Sequence, residues 1–122
     1  MKPTIHVVDD DASTRRALIR LIHALGFEVD AFESAEAFLG SEHQEEEACL
    51  LVDIHMPGMS GVELCRHLAE SGRRLPTILM SAHRDPNTRA LAAGAHPVAT
   101  LYKPFDEEAL MNAIRLALGS AH

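Results

Sequence analysis

Apolar stretches of strand length alternate with stretches of helical period along the chain. Ile5–Val8 is a short β-rich run interrupted only by His6. Behind it Leu18, Leu21, Ile22 and Leu25 recur at i, i+3, i+4 and i+7, one face of a helix, with Gly26 as its C-terminal cap. Phe27–Phe32 alternates Phe, Val and Ala with Glu and Asp, which predicts a strand with one partly wet face. Ser34 is placed to cap a second helix over residues 35–42 that turns Phe38 and Leu39 inward. The acidic stretch Glu42–Glu47 reads as a solvated loop, and Ala48–Val52 as a central strand covered on both faces.

The second half repeats the alternation. Ser60-Gly61-Val62-Glu63 matches a capping box and opens a third helix through about Glu70. Thr77–Met80 is another buried run. Asp85-Pro86 pairs an N-cap with a proline at the first helical position, and that short fourth helix ends near Gly94. Val98–Tyr102 is the last strand. Asp106 caps a final helix whose Leu110, Ile114, Ala117 and Leu118 face the core, with Gly119 ending it. Five successive βα units predict an α/β fold, a doubly wound parallel sheet with helices on both faces, as one domain over residues 1–122. A closed barrel needs about eight such units.

Composition narrows the class further. At 122 residues, 47% apolar and 24% charged, the chain is neither collagenous, disordered nor a disulfide framework. Eleven Lys and Arg against 18 Asp and Glu give a net charge of −7, the wrong sign for direct nucleic-acid binding. Cys49 and Cys65 fit no metal spacing and read as two buried, reduced thiols. No apolar stretch approaches the roughly 20 residues of a membrane span, and the first residues lack a signal-peptide core. A cytoplasmic location without membrane contact is expected.

The informative polar residues follow the strands. Val7-Val8 leads into Asp9-Asp10-Asp11, Leu50-Leu51-Val52 into Asp53, Leu79-Met80 into Ser81, and Leu101-Tyr102 into Lys103. Ligands of open α/β sheets bind beyond the carboxyl ends of the strands, so these groups converge on one edge. Clustered carboxylates stay ionised only with a cation among them, and hard oxygen ligands at a loop edge suit Mg²⁺. Lys103 adds positive charge, and Ser81 a hydroxyl donor. The set describes a site for a phosphoryl group and one divalent cation. Asp53, alone on the central strand, is the candidate nucleophile, while adjacent Asp9 and Asp10 are better placed as metal ligands.

Taken together, Val7-Val8-Asp9-Asp10, Leu51-Val52-Asp53-Ile54-His55-Met56-Pro57-Gly58-Met59-Ser60-Gly61, Ser81 and Lys103-Pro104-Phe105 resemble the receiver domain of two-component response regulators, most nearly those joined to helix-turn-helix transcription regulators. The resemblance covers essentially the whole chain. It implies a flavodoxin-like five-stranded sheet in the order 2-1-3-4-5. It further implies that Asp53 accepts a phosphoryl group from a sensor histidine kinase or phosphotransfer protein. Asp10, Asp53 and the backbone carbonyl of His55 would bind Mg²⁺ (or Mn²⁺) directly, and Asp9 through water. Ser81 and Lys103 would contact the phosphoryl group, and the bond before Pro104 would be cis. A phosphorylation-dependent homodimer through the fourth and fifth helices is a further family expectation, weakened here by the short fourth helix. Arg15 and Arg16 lie on the helix that receivers commonly present to their kinase.

Not every position conforms. The family's aromatic residue three places before the lysine is Thr100 here, and the nearest aromatic is Tyr102. The switch region of Thr100, Tyr102 and Pro104 therefore departs from the usual device. Asp11 reads as a helix N-cap. His55 and His83, two residues after Asp53 and Ser81, are candidates for tuning acyl-phosphate hydrolysis, or simply cover the pocket. His6 is expected inside a strand, and His23, His43, His67, His96 and His122 on the surface. Two other functions compete with the phosphorylation switch. One is a phosphate-independent interaction module, favoured only by Thr100. The other is a small Mg²⁺ phosphatase, which would need an acid where His55 stands. The switch is not a turnover enzyme on an external substrate.

Overall fold

The computed structural model describes residues 2–41 and 47–120. The elements run β1 (Thr4–Val8), α1 (Ala12–Ala24), β2 (Glu28–Phe32), α2 (Ala35–Leu39), β3 (Ala48–Asp53), α3 (Gly61–Glu70), β4 (Thr77–Ser81), α4 (Pro86–Gly94), β5 (Ala99–Tyr102) and α5 (Glu107–Ser120). The strands pair in parallel as one sheet in the order β2-β1-β3-β4-β5, as expected.

The pleat divides the core. Ile5, Val7, Cys49, Leu51, Ile78 and Met80 pack beneath α1 and α5, against Leu18, Ile22, Leu110 and Ile114. Their neighbours Val8, Leu50, Val52 and Leu79 face the other way, against Phe38 of α2, Leu64 and Leu68 of α3 and Ala92 of α4. Each fully buried aliphatic side chain contributes about 1.5–3 kcal/mol. His6 lies fully buried on the second face, its ring 5.6 Å from that of Phe38.

Side-chain caps set where each helix leaves the sheet's carboxyl edge. Asp11, Ser34, Ser60, Asp85 and Asp106 each accept a hydrogen bond from the backbone N–H three residues on. At Ser60 the capping box closes, because Glu63 accepts in return from the Ser60 N–H at 3.0 Å.

Three expectations need correction. α2 ends at Leu39 rather than 42, where Gly40 is a poor helix former and the Ser41 hydroxyl donates to the Phe38 carbonyl. α5 continues through Gly119, which does not take the left-handed conformation that ends helices. Cys65 is only half-buried, whereas Cys49 is buried. Of the acidic stretch only Glu47 is within the described residues, and His43 and His122 fall outside them. His23, His67 and His96 are exposed. Among the described residues, no helix is long and apolar enough to cross a membrane.

Candidate functional site

The parallel register brings the tips of β1, β3, β4 and β5 to one edge, and with them Asp9, Asp10, Asp53, Ser81 and Lys103. Carboxylate oxygens of Asp9, Asp10 and Asp53 all lie within 4.8 Å of one another. Asp10 is exposed, Asp9 is fully buried and Asp53 is 9% exposed. The side chain of Lys103 reaches across the sheet edge, its Nζ 2.9 Å from Asp9 Oδ2 and 3.2 Å from Asp53 Oδ2. The peptide bond between Lys103 and Pro104 is cis, as expected.

The remaining oxygens of the two buried acids are held by backbone. Asp9 Oδ1 accepts from the Asp11 N–H at 2.9 Å, and Asp53 Oδ1 from the His55 N–H at 3.2 Å. Burial pushes the Asp53 carboxyl above its ordinary range. The Lys103 ammonium pulls it down and the Asp9 charge pushes it up again. Burial works against the Lys103 ammonium too, but its hydrogen bond to Asp9 and the charges of Asp53 and Asp9 outweigh it, so Lys103 is held charged above its usual value. Three clustered carboxylates are thus met by one ammonium, which bonds Asp9 and Asp53.

Ser81 is fully buried, and its hydroxyl is engaged locally: it accepts from the His83 N–H at 2.9 Å and donates to the His83 carbonyl at 3.1 Å. The exposed rings of His55 and His83 meet edge to face with centres 4.8 Å apart. The two positions paired in the sequence argument are therefore in contact. Asp11 caps α1 as expected, and its hydrogen bonds from Thr14 lower its pKa. Thr100 is half-buried on β5, and the Tyr102 ring lies under two arginines.

Sequence reasoning missed two supports. Glu36 of α2 accepts from the Met59 N–H at 3.0 Å, tying down the loop after Asp53. Arg15, singled out only for its place on the helix that receivers present to a kinase, donates from Nη1 to the Asp9 carbonyl at 2.7 Å. Glu36 is 23 residues from Met59 and carries no local signal. Gly61 also has a steric reason to be glycine, since a Cβ there would run into the Asp53 carbonyl oxygen.

A family model described as the response regulator receiver domain matches residues 5–115. The chain belongs to that family. Response regulator protein TmoT of Ectopseudomonas mendocina is 42% identical over 114 residues, 93% of this receiver and 52% of the relative. Transcriptional regulatory protein FixJ of Azorhizobium caulinodans is 36% identical over 115 residues, 94% of this receiver and 54% of the relative. The FixJ-N crystal structure matches at TM-score 0.89 and 34% identity, covering 98% of this receiver and 95% of that chain. This receiver thus spans about half the length of the curated relatives it matches.

Proposed function

We propose that residues 1–122 act as one phosphoacceptor domain, in which Asp53 takes a phosphoryl group from a phosphohistidine of a sensor kinase or phosphotransfer protein. The observation that carries this is the set of three carboxylates within 4.8 Å, with the Lys103 ammonium on two of them. That donor set fits Mg²⁺, or Mn²⁺ in its place. The oxygens are hard, they sit at a loop edge, and one ammonium leaves negative charge among them uncompensated. Asp10, Asp53 and the His55 carbonyl would hold the ion directly and Asp9 through water. When bound, the ion neutralises charge on the phosphoryl oxygens.

The chain's own groups do the rest. An Asp53 carboxylate oxygen attacks phosphorus, the phosphorus–nitrogen bond of the donor breaks, and its electron pair returns to the imidazole. Lys103, anchored to Asp9, places an ammonium beside Asp53 Oδ2, where it offsets negative charge on the carboxylate and the incoming phosphoryl group. Ser81 supplies a hydroxyl to a phosphoryl oxygen. The backbone bond to Asp53 Oδ1 and the Glu36 tie on the following loop keep the nucleophile oriented. His55 and His83 sit at the rim, where they regulate access of water to the acyl phosphate. The kinship with a transcriptional regulatory protein supports a role in controlling an output or partner.

Intact-mass spectrometry after incubation with acetyl phosphate tests the reading. One added phosphoryl group that requires both Mg²⁺ and Asp53 is the expected result. An adduct that survives in Asp53→Ala, or no adduct after rapid quenching, overturns it.

A further inference from the structure

His55 and His83 form part of the rim of the acceptor site, whose chemistry asks nothing of their ring nitrogens. They come from different segments, the loop after β3 and the turn after β4. Their ring centres are 4.8 Å apart with the planes at 88°, and both residues are exposed. Among the described residues, neither imidazole is hydrogen-bonded or ion-paired to another residue. Their nitrogen lone pairs are therefore open to a ligand from solvent.

Both rings hang from fixed backbone. The His55 N–H donates to Asp53 Oδ1 at 3.2 Å, and its loop is tied to Glu36 through the Met59 N–H. The His83 N–H and carbonyl are both engaged by the Ser81 hydroxyl, at 2.9 and 3.1 Å. Little loop freedom is left to lose when a ligand bridges the pair, and such preorganisation favours binding. The spacing fits a single ion. An imidazole nitrogen about 2.0–2.1 Å from a metal sets its ring centre about 3.2 Å away, so two imidazoles in neighbouring positions on one ion have centres about 4.5–5.2 Å apart. The observed 4.8 Å lies within that span.

We propose that His55 and His83 form a second metal site, in which both imidazoles bind one borderline-soft divalent ion, Zn²⁺ or a neighbour such as Ni²⁺ or Cu²⁺, and water fills its remaining positions. Imidazole selects these ions, whereas Mg²⁺ prefers carboxylate oxygen. The ion ties the loop after β3 to the turn after β4. The excess of carboxylates over ammonium groups at the same edge adds a field that attracts dications. The proposal stands apart from the acceptor reading, since binding requires no phosphoryl group on Asp53. If the two rings merely packed on each other, they would hold an ion no better than an exposed histidine elsewhere, such as His67.

Calorimetric titration with ZnCl₂, in excess Mg²⁺ to compete the ion off the carboxylates, tests the site on the native chain, His55→Gln, His83→Gln, Asp53→Asn and the control His67→Gln. Far-UV circular dichroism checks that each variant is folded. The native chain should show one strongest Zn²⁺ site, and each rim substitution should weaken it at least about tenfold, because half of its imidazole ligands are gone. The control should match the native chain. In a proton–carbon NMR spectrum of the native protein, which needs no variant, Zn²⁺ should perturb the His55 and His83 ring resonances together and before those of His67. Unchanged affinity in either rim variant overturns the proposal, as does perturbation of only one of the two rings. A larger loss in Asp53→Asn than in the rim variants overturns it too, because the ion then belongs to the carboxylates.

Discussion

β3 with the helix that follows it, α3, and β5 with the helix that precedes it, α4, are both strand–helix neighbours in the chain, yet they are packed differently. All six residues of β3 are buried, whereas β5 buries only Leu101 of its four. α3 sends Leu64 and Leu68 into the core; α4 sends only Thr88 and Ala92 and leaves Leu91 43% exposed. Apolar burial is thus concentrated where Asp53 is held, and it thins out beside Ser81 and Tyr102. Regions with few buried apolar contacts open and rearrange at the lowest free-energy cost. The sheet holds Asp53 in its most buried part and leaves the β5–α4 region the easier to rearrange.

The largest effect expected from this contrast is on stability. Leu64→Ala should cost about 2–5 kcal/mol in a denaturant melt, the range for a large core truncation, while Leu91→Ala should stay within about 0.5 kcal/mol. Equal losses at the two sites would break the comparison.

Asp53 sharpens it. Its carboxyl titrates above the ordinary range because burial disfavours the charge, so its contribution to stability is fully present at acid pH and is lost as pH rises through the folded-state value. In metal-free buffer, Asp53→Asn should therefore melt above the native protein at neutral pH, and the gap should shrink on acidification. Lys103 keeps its 2.9 Å bond to Asp9 in that variant. A melting point below the native one at pH 7 would show that the lost Lys103 contact outweighs the relieved burial.

The smallest effect concerns the thiols. Burial pushes Cys49 up to about 12 and Cys65 up to about 11, so both remain protonated at pH 8. Iodoacetamide should label the folded protein far more slowly than the urea-unfolded chain. Fast labelling of Cys65 would show that α3 opens more readily than its core contacts suggest.

Much of this molecule was legible in the sequence. The period of Leu18, Leu21, Ile22 and Leu25, the buried run before Asp53 and the box at Ser60 each report local backbone preference, and the strand tips place Asp9, Asp10, Asp53, Ser81 and Lys103 on one edge. Periodicity carries no information on which side chains meet across elements. Hence Glu36 on the Met59 amide, Arg15 on the Asp9 carbonyl and the arginines over Tyr102 emerged only from the fold. The lengths of α2 and α5 were misjudged because Gly40 and Gly119 act as terminators only in a suitable backbone context.

The cap at Asp85 has a mechanical consequence. Its carboxylate takes both the N–H and the hydroxyl of Thr88, which pins the first turn of α4 while the far end rests on little more than Ala92. A nine-residue helix is about 13 Å long. Pivoting on the cap by about 10°, it carries its far end through about 2 Å. α4 is thus a lever with its fulcrum four residues from Ser81, and it magnifies a small adjustment of that turn at Gly94.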